Sequence, residues 1–277
     1  LLSNVALNYC LIFGKGGFPA AGIAGAAIAS SVSEAVSLLF FIIYTSMTAD
    51  KRKYGFRRAF TLRPHLLKGM LSISGWTMVQ SFISVSIWFI FFLAIEHLGE
   101  RPLAVTNIVR NISALLIMVI SAFATTAGAL ISNQIGAGEQ RCLFKTCGMT
   151  LKLTYAILIP LLIILCLFPE SVLRAFTDSP SLIAASVNSV YVMASSTLIM
   201  APSFILFNAV SGTGNTRAGF IMEMISLAVY TAVIYYGIIR LKPDVALCWF
   251  SEHVYGVTLI FLAWWYLKSG KWRGKKV

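Results

Sequence analysis

The sequence predicts an all-α integral membrane protein built as a polytopic helical bundle, and three observations predict it. Hydrophobic residues make up 58% of the 277 and charged residues only 12%, where soluble domains run near 25% charged. The apolar runs are long and do not alternate. A hydrocarbon core about 30 Å thick asks about 20 such residues of a helix, whereas a barrel strand needs about 10 alternating ones. The basic residues also collect between the runs. Seven of the 22 Lys and Arg stand in the connector Ala49–Lys68 (Lys51, Arg52, Lys53, Arg57, Arg58, Arg63, Lys68), and Lys and Arg in short loops mark the cytoplasmic side of a membrane protein.

The first run, Leu1–Phe13, is short for a span and ends at the turn Gly14-Lys15-Gly16-Gly17-Phe18-Pro19, where Gly and Pro punctuate a tight loop. With no initiator Met and an opening inside an apolar run, it is expected to be part of a helix in a chain that starts further upstream. The second span, Ala21–Tyr44, opens on G-I-A-G-A-A-I-A-S-S, small residues that let helix backbones approach closely in lipid. After the connector come six further runs: Gly69–Ile95, Leu103–Asn133, Thr146–Phe168, Ser181–Val210, Ala218–Ile239 and Val245–Leu267. Alternating these eight spans from a cytoplasmic connector leaves fifteen Lys and Arg in inside segments and five outside (Lys15, Arg101, Arg174, Arg240, Lys242). Connector and C-terminus are therefore expected in the cytoplasm. The connector, 49–68, divides two helices before it (1–48) from a six-helix bundle with its tail after it (69–277). Trp249, and Trp264, Trp265, Tyr266 and Trp272, fit the aromatic belts at the two ends of the last span.

The formal charge of +12 belongs to helix ends and suits anionic headgroups rather than nucleic acid. Five cysteines (Cys10, Cys142, Cys147, Cys166, Cys248) include no C-x-x-C, so neither a metal site nor a disulfide framework is expected.

Three stretches are more specific: G-F-P-A-A-G-I-A-G-A-A-I-A-S (Gly17–Ser30), I-S-N-Q-I-G-A-G (Ile131–Gly138) and N-A-V-S-G-T-G-N-T-R (Asn208–Arg217). In this order and spacing the chain resembles the multidrug and toxic compound extrusion (MATE) transporters. That resemblance implies two six-helix bundles facing a central cavity, with eight of twelve transmembrane helices in this sequence. It implies a multi-pass protein of a bacterial inner (plasma) membrane, acting as a monomer. The activity implied is secondary transport, in which organic cations or drugs leave as H+ or Na+ enters, with no other cofactor. As motifs by themselves, G-A-G reads as a helix C-cap and S-G-T-G-N-T as a tight turn lacking the G-K-[ST] of a phosphate cradle.

A coupled transporter needs a group that changes charge during its cycle, and a carboxylate in a low-dielectric cavity supplies one. Glu34, Glu223 and Glu252 are the carboxylates within spans. Counting from the span ends, Glu252 and Arg110 each lie roughly 10 Å deep on the outer side, which makes them a candidate ion pair, either a fixed bridge or one that exchanges. Arg110 cannot carry the proton itself. Lys152 and Glu223 make a second candidate pair, with Lys152 placed to snorkel. Gln80, Ser84, Asn107, Asn111, Asn188, Tyr191 and Asn208 are polar residues within spans, candidates for the substrate cavity or for interhelical hydrogen bonds, with Gln80 and Asn111 foremost. Met78, Phe82, Trp88 and Met200 are candidates for an adaptable apolar wall.

The best-known bacterial members of the resembled family carry an acidic residue in the first helix of the second bundle. This chain has Ser84 there, and Met200 near the acidic position of the fourth helix. The coupling carboxylates are then Glu223 and Glu252 or lie outside this sequence. The alternative within the same wider fold is a flippase or exporter of lipid-linked saccharide or another anionic solute, which Arg110 and Lys152 would suit. An intramembrane enzyme is disfavoured: His65 and His97 lie at helix ends, His253 stands alone beside Glu252, and there is no G-x-S-x-G or H-E-x-x-H. No charge ring or filter sequence suggests a channel.

Overall fold

A computed structural model describes residues 1–49, 63–270 and 272. Residues 50–62, most of the basic connector, lie outside the described residues, as does most of the C-terminal tail. Among the described residues seven helices are long and apolar enough to cross a membrane, and a shorter apolar helix precedes them. The chain divides into two compact units, Leu1–Leu67 and Lys68–Val277.

The first unit is a pair of helices, α1 (Leu2–Phe13) and α2 (Gly22–Thr48). Helix α1 stops at Gly14, whose left-handed φ of 67° lets its N–H cap the Cys10 carbonyl, a conformation that costs a residue with a Cβ. The returning chain is held at once, Ala21 N donating to Leu11 O over 2.9 Å. A Cβ at Gly25 would overlap the Leu11 carbonyl, so the small-residue run serves the close approach the sequence suggests. Glu34, on α2, is exposed on this unit.

The second unit holds α3 (Pro64–Glu96), α4 (Glu100–Gly136), α5 (Leu143–Leu167), the short α6 (Pro169–Leu173), α7 (Pro180–Gly212), α8 (Thr216–Val233), α9 (Val245–Cys248) and α10 (Ser251–Ser269). Helices α4 and α7 form its axis. The buried residues of α4 follow a three-and-four spacing, through Val105, Val109, Ile112, Leu116, Ile120, Ala124, Ala127 and Ile131, one apolar stripe along the whole helix. At one end α4 meets α7 backbone to backbone: a Cβ on Gly212 would overlap the Gly128 carbonyl, and one on Gly128 would lie 2.9 Å from Asn208 O. Leu158 and Leu162 of α5 and Val190, Met193 and Ala201 of α7 complete one core region, and Ile205 and Ala209 of α7 with Leu259 and Ala263 of α10 another. Helix α3 packs Phe91 and Ile95 against Tyr230, Ile234 and Ile238.

The motif loops do structural work. Asn215 caps α8, its Oδ1 accepting from Ala218 N, while its Nδ2 donates to Tyr266 Oη over 2.6 Å. Gly214 supplies the left-handed turn, with φ 77°. Gln134 accepts from Thr146 Oγ1 over 3.0 Å, tying the end of α4 to the start of α5. Two features were not visible in the apolar runs. Residues Ile234–Arg240 continue α8 as a π-helical turn, and the last span is broken between α9 and α10.

Pro202 lies inside α7 and cannot donate to the carbonyl four residues back, that of Leu198. A neighbouring helix supplies the missing donor: Tyr155 Oη of α5 donates to Leu198 O over 2.7 Å. Tyr155→Phe is expected to lower stability by about 1 to 3 kcal/mol by orphaning that acceptor. Thermal unfolding in detergent checks this, and in a Pro202→Ala background, where the backbone donor returns, the same change is expected to cost markedly less.

Candidate functional site

Helices α8 and α10 run side by side in opposite directions, and each carries one glutamate and one tyrosine on the face turned to the other. Glu223 and Tyr230 are seven apart on α8; Glu252 and Tyr255 are three apart on α10. Both spacings keep side chains on one helical face. The hydrogen bonds cross between the helices. Tyr230 Oη donates to Glu252 Oε1 over 2.7 Å, and Tyr255 Oη donates to Glu223 Oε1 over 2.9 Å. The two tyrosine rings meet edge to face at 5.7 Å. Ser84 of α3 donates a further hydrogen bond to Glu223 Oε1, also 2.9 Å.

Glu223 and Glu252 are 4% and 8% exposed, and among the described residues no cation stands within ion-pairing distance of either. Hydroxyls are their recorded partners. A hydroxyl hydrogen bond softens, but does not neutralise, the cost of holding a full negative charge away from water. Each carboxyl group is therefore set to take up a positive partner when it ionises, whether a proton, a metal cation or an organic cation.

Both open on one cavity of about 510 Å³, lined by residues of α3 (Ser84, Val85, Ile87, Trp88), α4 (Arg110, Ser113, Ala114, Ile117, Met118), α7 (Met200, Phe204), α8 and α10. That is within the size range of small-molecule sites, about 300 to 1,000 Å³. Its wall is mainly apolar and aromatic, with Met118 and Met200 as adaptable elements.

Of the sequence candidates, Ser84, Arg110, Glu223, Glu252, Trp88 and Met200 converge here. Neither anticipated ion pair forms. Arg110 lies with its guanidinium over the Phe92 ring, 5.1 Å from the centroid, and Glu252 takes Tyr230 instead. Lys152 is exposed, as a snorkelling lysine is, and Glu223 takes Ser84 and Tyr255. Both pairings rested on matched depth alone, which does not fix which helix face a side chain occupies.

Gln80 and Asn111 do not border the cavity. Asn107 Nδ2 turns back to Leu103 O at 3.1 Å and Asn208 Nδ2 to Phe204 O at 2.9 Å, each satisfied within its own helix. Tyr191 Oη reaches Cys166 O at 3.4 Å, with 43% of the residue exposed. Asn188 is exposed, as are Met78 and Phe82. His253 stacks on Phe250 and meets Ser195 Oγ at 2.9 Å through Nε2, away from the neighbouring Glu252. The sequence reading missed Tyr230 and Tyr255. Their same-face spacing from Glu223 and Glu252 was the available signal.

Comparison with known proteins gives a consistent result. The family model MatE matches residues 77–236. A probable multidrug resistance protein NorM of Thermotoga maritima is 25% identical over 99% of this chain and 59% of its own length. Two solved structures of a multidrug resistance MATE family transporter of the MOP superfamily superpose with TM-scores of 0.80 (outward-facing) and 0.70 (inward-facing), each at 16% identity. They cover 97% and 99% of this chain and 60% and 63% of theirs. The chain thus spans about 60% of the length of these relatives.

Because the reciprocal hydrogen bonds tie α8 to α10, Tyr230→Phe and Glu252→Ala, each of which removes the bond between them, are coupled. Each is expected to lower thermal stability in detergent, and the double variant to fall short of the sum of the singles by about 0.5 to 3 kcal/mol, the range for residues in direct contact. Strict additivity would place the Tyr230 hydroxyl outside the site.

Proposed function

Because the chain belongs to the MatE family, whose members are transporters and not enzymes, we propose that it is part of a secondary active efflux transporter that expels organic cations or drugs as H+ or Na+ enters. The observation that carries this reading is the pair of buried carboxyl groups, Glu223 and Glu252, opening on one largely apolar cavity with hydroxyl partners and, among the described residues, no cation within ion-pairing distance of either.

Such carboxyl groups bind ion and substrate in competition. An entering H+ or Na+ neutralises them and removes the attraction for an organic cation; loss of the ion restores it. Antiport requires such mutual exclusion, together with alternating access to the two sides. The relatives solved facing outward and inward support the second requirement. Under this reading residues 1–48 are the last two helices of the first, N-terminal bundle, the linker 49–68 and the C-terminus lie in the cytoplasm of a bacterial cell, and the protein works in the plasma membrane as a monomer. Ser84 replaces the acidic residue of the best-known bacterial members, and the charge it lacks is supplied to the same place by Glu223, which accepts its hydroxyl. Glu34 remains a candidate for the other bundle.

The test uses the protein expressed from its full native gene in inside-out vesicles of a pump-deficient bacterium. An imposed proton or sodium gradient is followed while a cationic dye is added. The dye is expected to dissipate one of the two gradients in the wild type. Glu252→Gln and Glu223→Gln are expected to abolish the response while the protein remains in the membrane at normal level. Wild-type coupling from Glu252→Gln would remove that residue from the mechanism.

A further inference from the structure

Arg110 is the feature of the cavity that coupling does not use. It stands ten residues into α4 and seven past Leu103, where the apolar run begins, so about 10 Å inside the hydrocarbon core. A guanidinium at that depth needs a partner. Among the described residues it has no carboxylate within ion-pairing distance and no hydrogen-bond acceptor. Its recorded contact is the Phe92 ring face, 5.1 Å away. The carboxylates of the same cavity are held by Tyr230, Tyr255 and Ser84.

With its central carbon 5.1 Å from the Phe92 centroid, the guanidinium carries its N–H donors in one plane, the fork geometry that matches a carboxylate bidentately. Phe92 packs on Trp88, ring centroids 5.2 Å apart. Trp88 lines the cavity beside Arg110, with Met118 and Met200 as the adaptable parts of its wall. A cavity of about 510 Å³ suits a drug-sized body and not a polyprenyl lipid.

We infer that Arg110 is an anion-binding residue of the substrate cavity, seating the carboxylate of an aromatic amphipath whose flat body lies against the Trp88 side of the wall. The inference rests on the transporter reading and narrows its substrates: the cavity recognises a negative group on the ligand as well as the positive one that Glu223 and Glu252 would attract. A zwitterion satisfies both ends.

The experiment uses the full-length protein in non-ionic detergent, where no headgroup phosphate competes, and two xanthene dyes identical but for a free carboxylate in one and its methyl ester in the other. Binding is read by fluorescence polarisation. The wild type is expected to favour the acid over the ester by about tenfold, the scale of one charge-assisted hydrogen-bonded pair. Arg110→Gln is expected to erase that preference, bringing the ratio of acid to ester affinity to about one, and Arg110→Lys to keep part of it. Equal binding of the two dyes by the wild type overturns the inference whether or not the variants fold. An acid preference unchanged in Arg110→Gln overturns it too, and leaves Arg110 as a partner of Glu252 in another conformation. Gradient-driven uptake of the same dyes into proteoliposomes separates this from the transporter reading. Coupled uptake of the ester without acid preference removes only the anion site, whereas acid-selective binding without coupled uptake removes only the antiport.

Discussion

In the hydrocarbon core there is no water to complete a hydrogen bond, so each polar group must find its partner on its own helix or on a neighbour. Much of the second unit follows from that constraint. Small hydroxyls solve it locally, as where Thr154 donates to Thr150 O, Ser186 to Leu182 O and Thr197 to Met193 O. Such bonds satisfy the hydroxyl without committing the helix to a neighbour. Groups with longer reach solve it between helices, and these specify the bundle. Tyr155 of α5 supplies the donor that Pro202 removes from α7, and the two Glu–Tyr pairs lock α8 to α10.

The same constraint separates stability from function. A neutral carboxyl group with a tyrosine hydroxyl is an ordinary interhelical pair, worth on the order of 1 kcal/mol. An ionised one in that place is not, because its hydroxyl partner carries no charge. In the proposed cycle the carboxyl groups pass between a neutral and an ionised form, and the two differ sharply in electrostatic cost. Helix α3 joins the pair through Ser84, whose hydroxyl shares Glu223 Oε1 with Tyr255. The π-helical turn Ile234–Arg240 begins four residues beyond Tyr230, and turns of this kind are common beside functional residues.

The membrane class and the order of helices were legible because they depend on quantities summed over twenty residues at a time. The caps were legible for another reason: Gly14, Gly214 and Asn215 act through their own backbone or the next turn, so a turn motif is enough to read them. Pairings across helices were not. Matched depth put Arg110 with Glu252 and Lys152 with Glu223, yet depth fixes one coordinate, and the rotation of each helix decides the partner. Asn107 and Asn208 misled in the same way, since a buried asparagine looks identical in sequence whether it faces a cavity or its own backbone. The break between α9 and α10 has no proline to announce it, and the residues around it, Cys248 to Ser251, continue the apolar run; the cap that is present, Asp244 accepting from Val245 N, marks only the start of α9.

In the proposed antiport, ion and ligand compete for the two carboxyl groups, and ion release on ligand binding measures that competition. The full-length protein in weakly buffered detergent solution would be mixed with saturating dye while a pH indicator and a sodium indicator are followed, in the wild type and in Glu223→Gln with Glu252→Gln. Protons or Na+ are expected to be released from the wild type and neither from the double variant. Binding that releases neither ion from the wild type, or the same amount from both proteins, would contradict that competition.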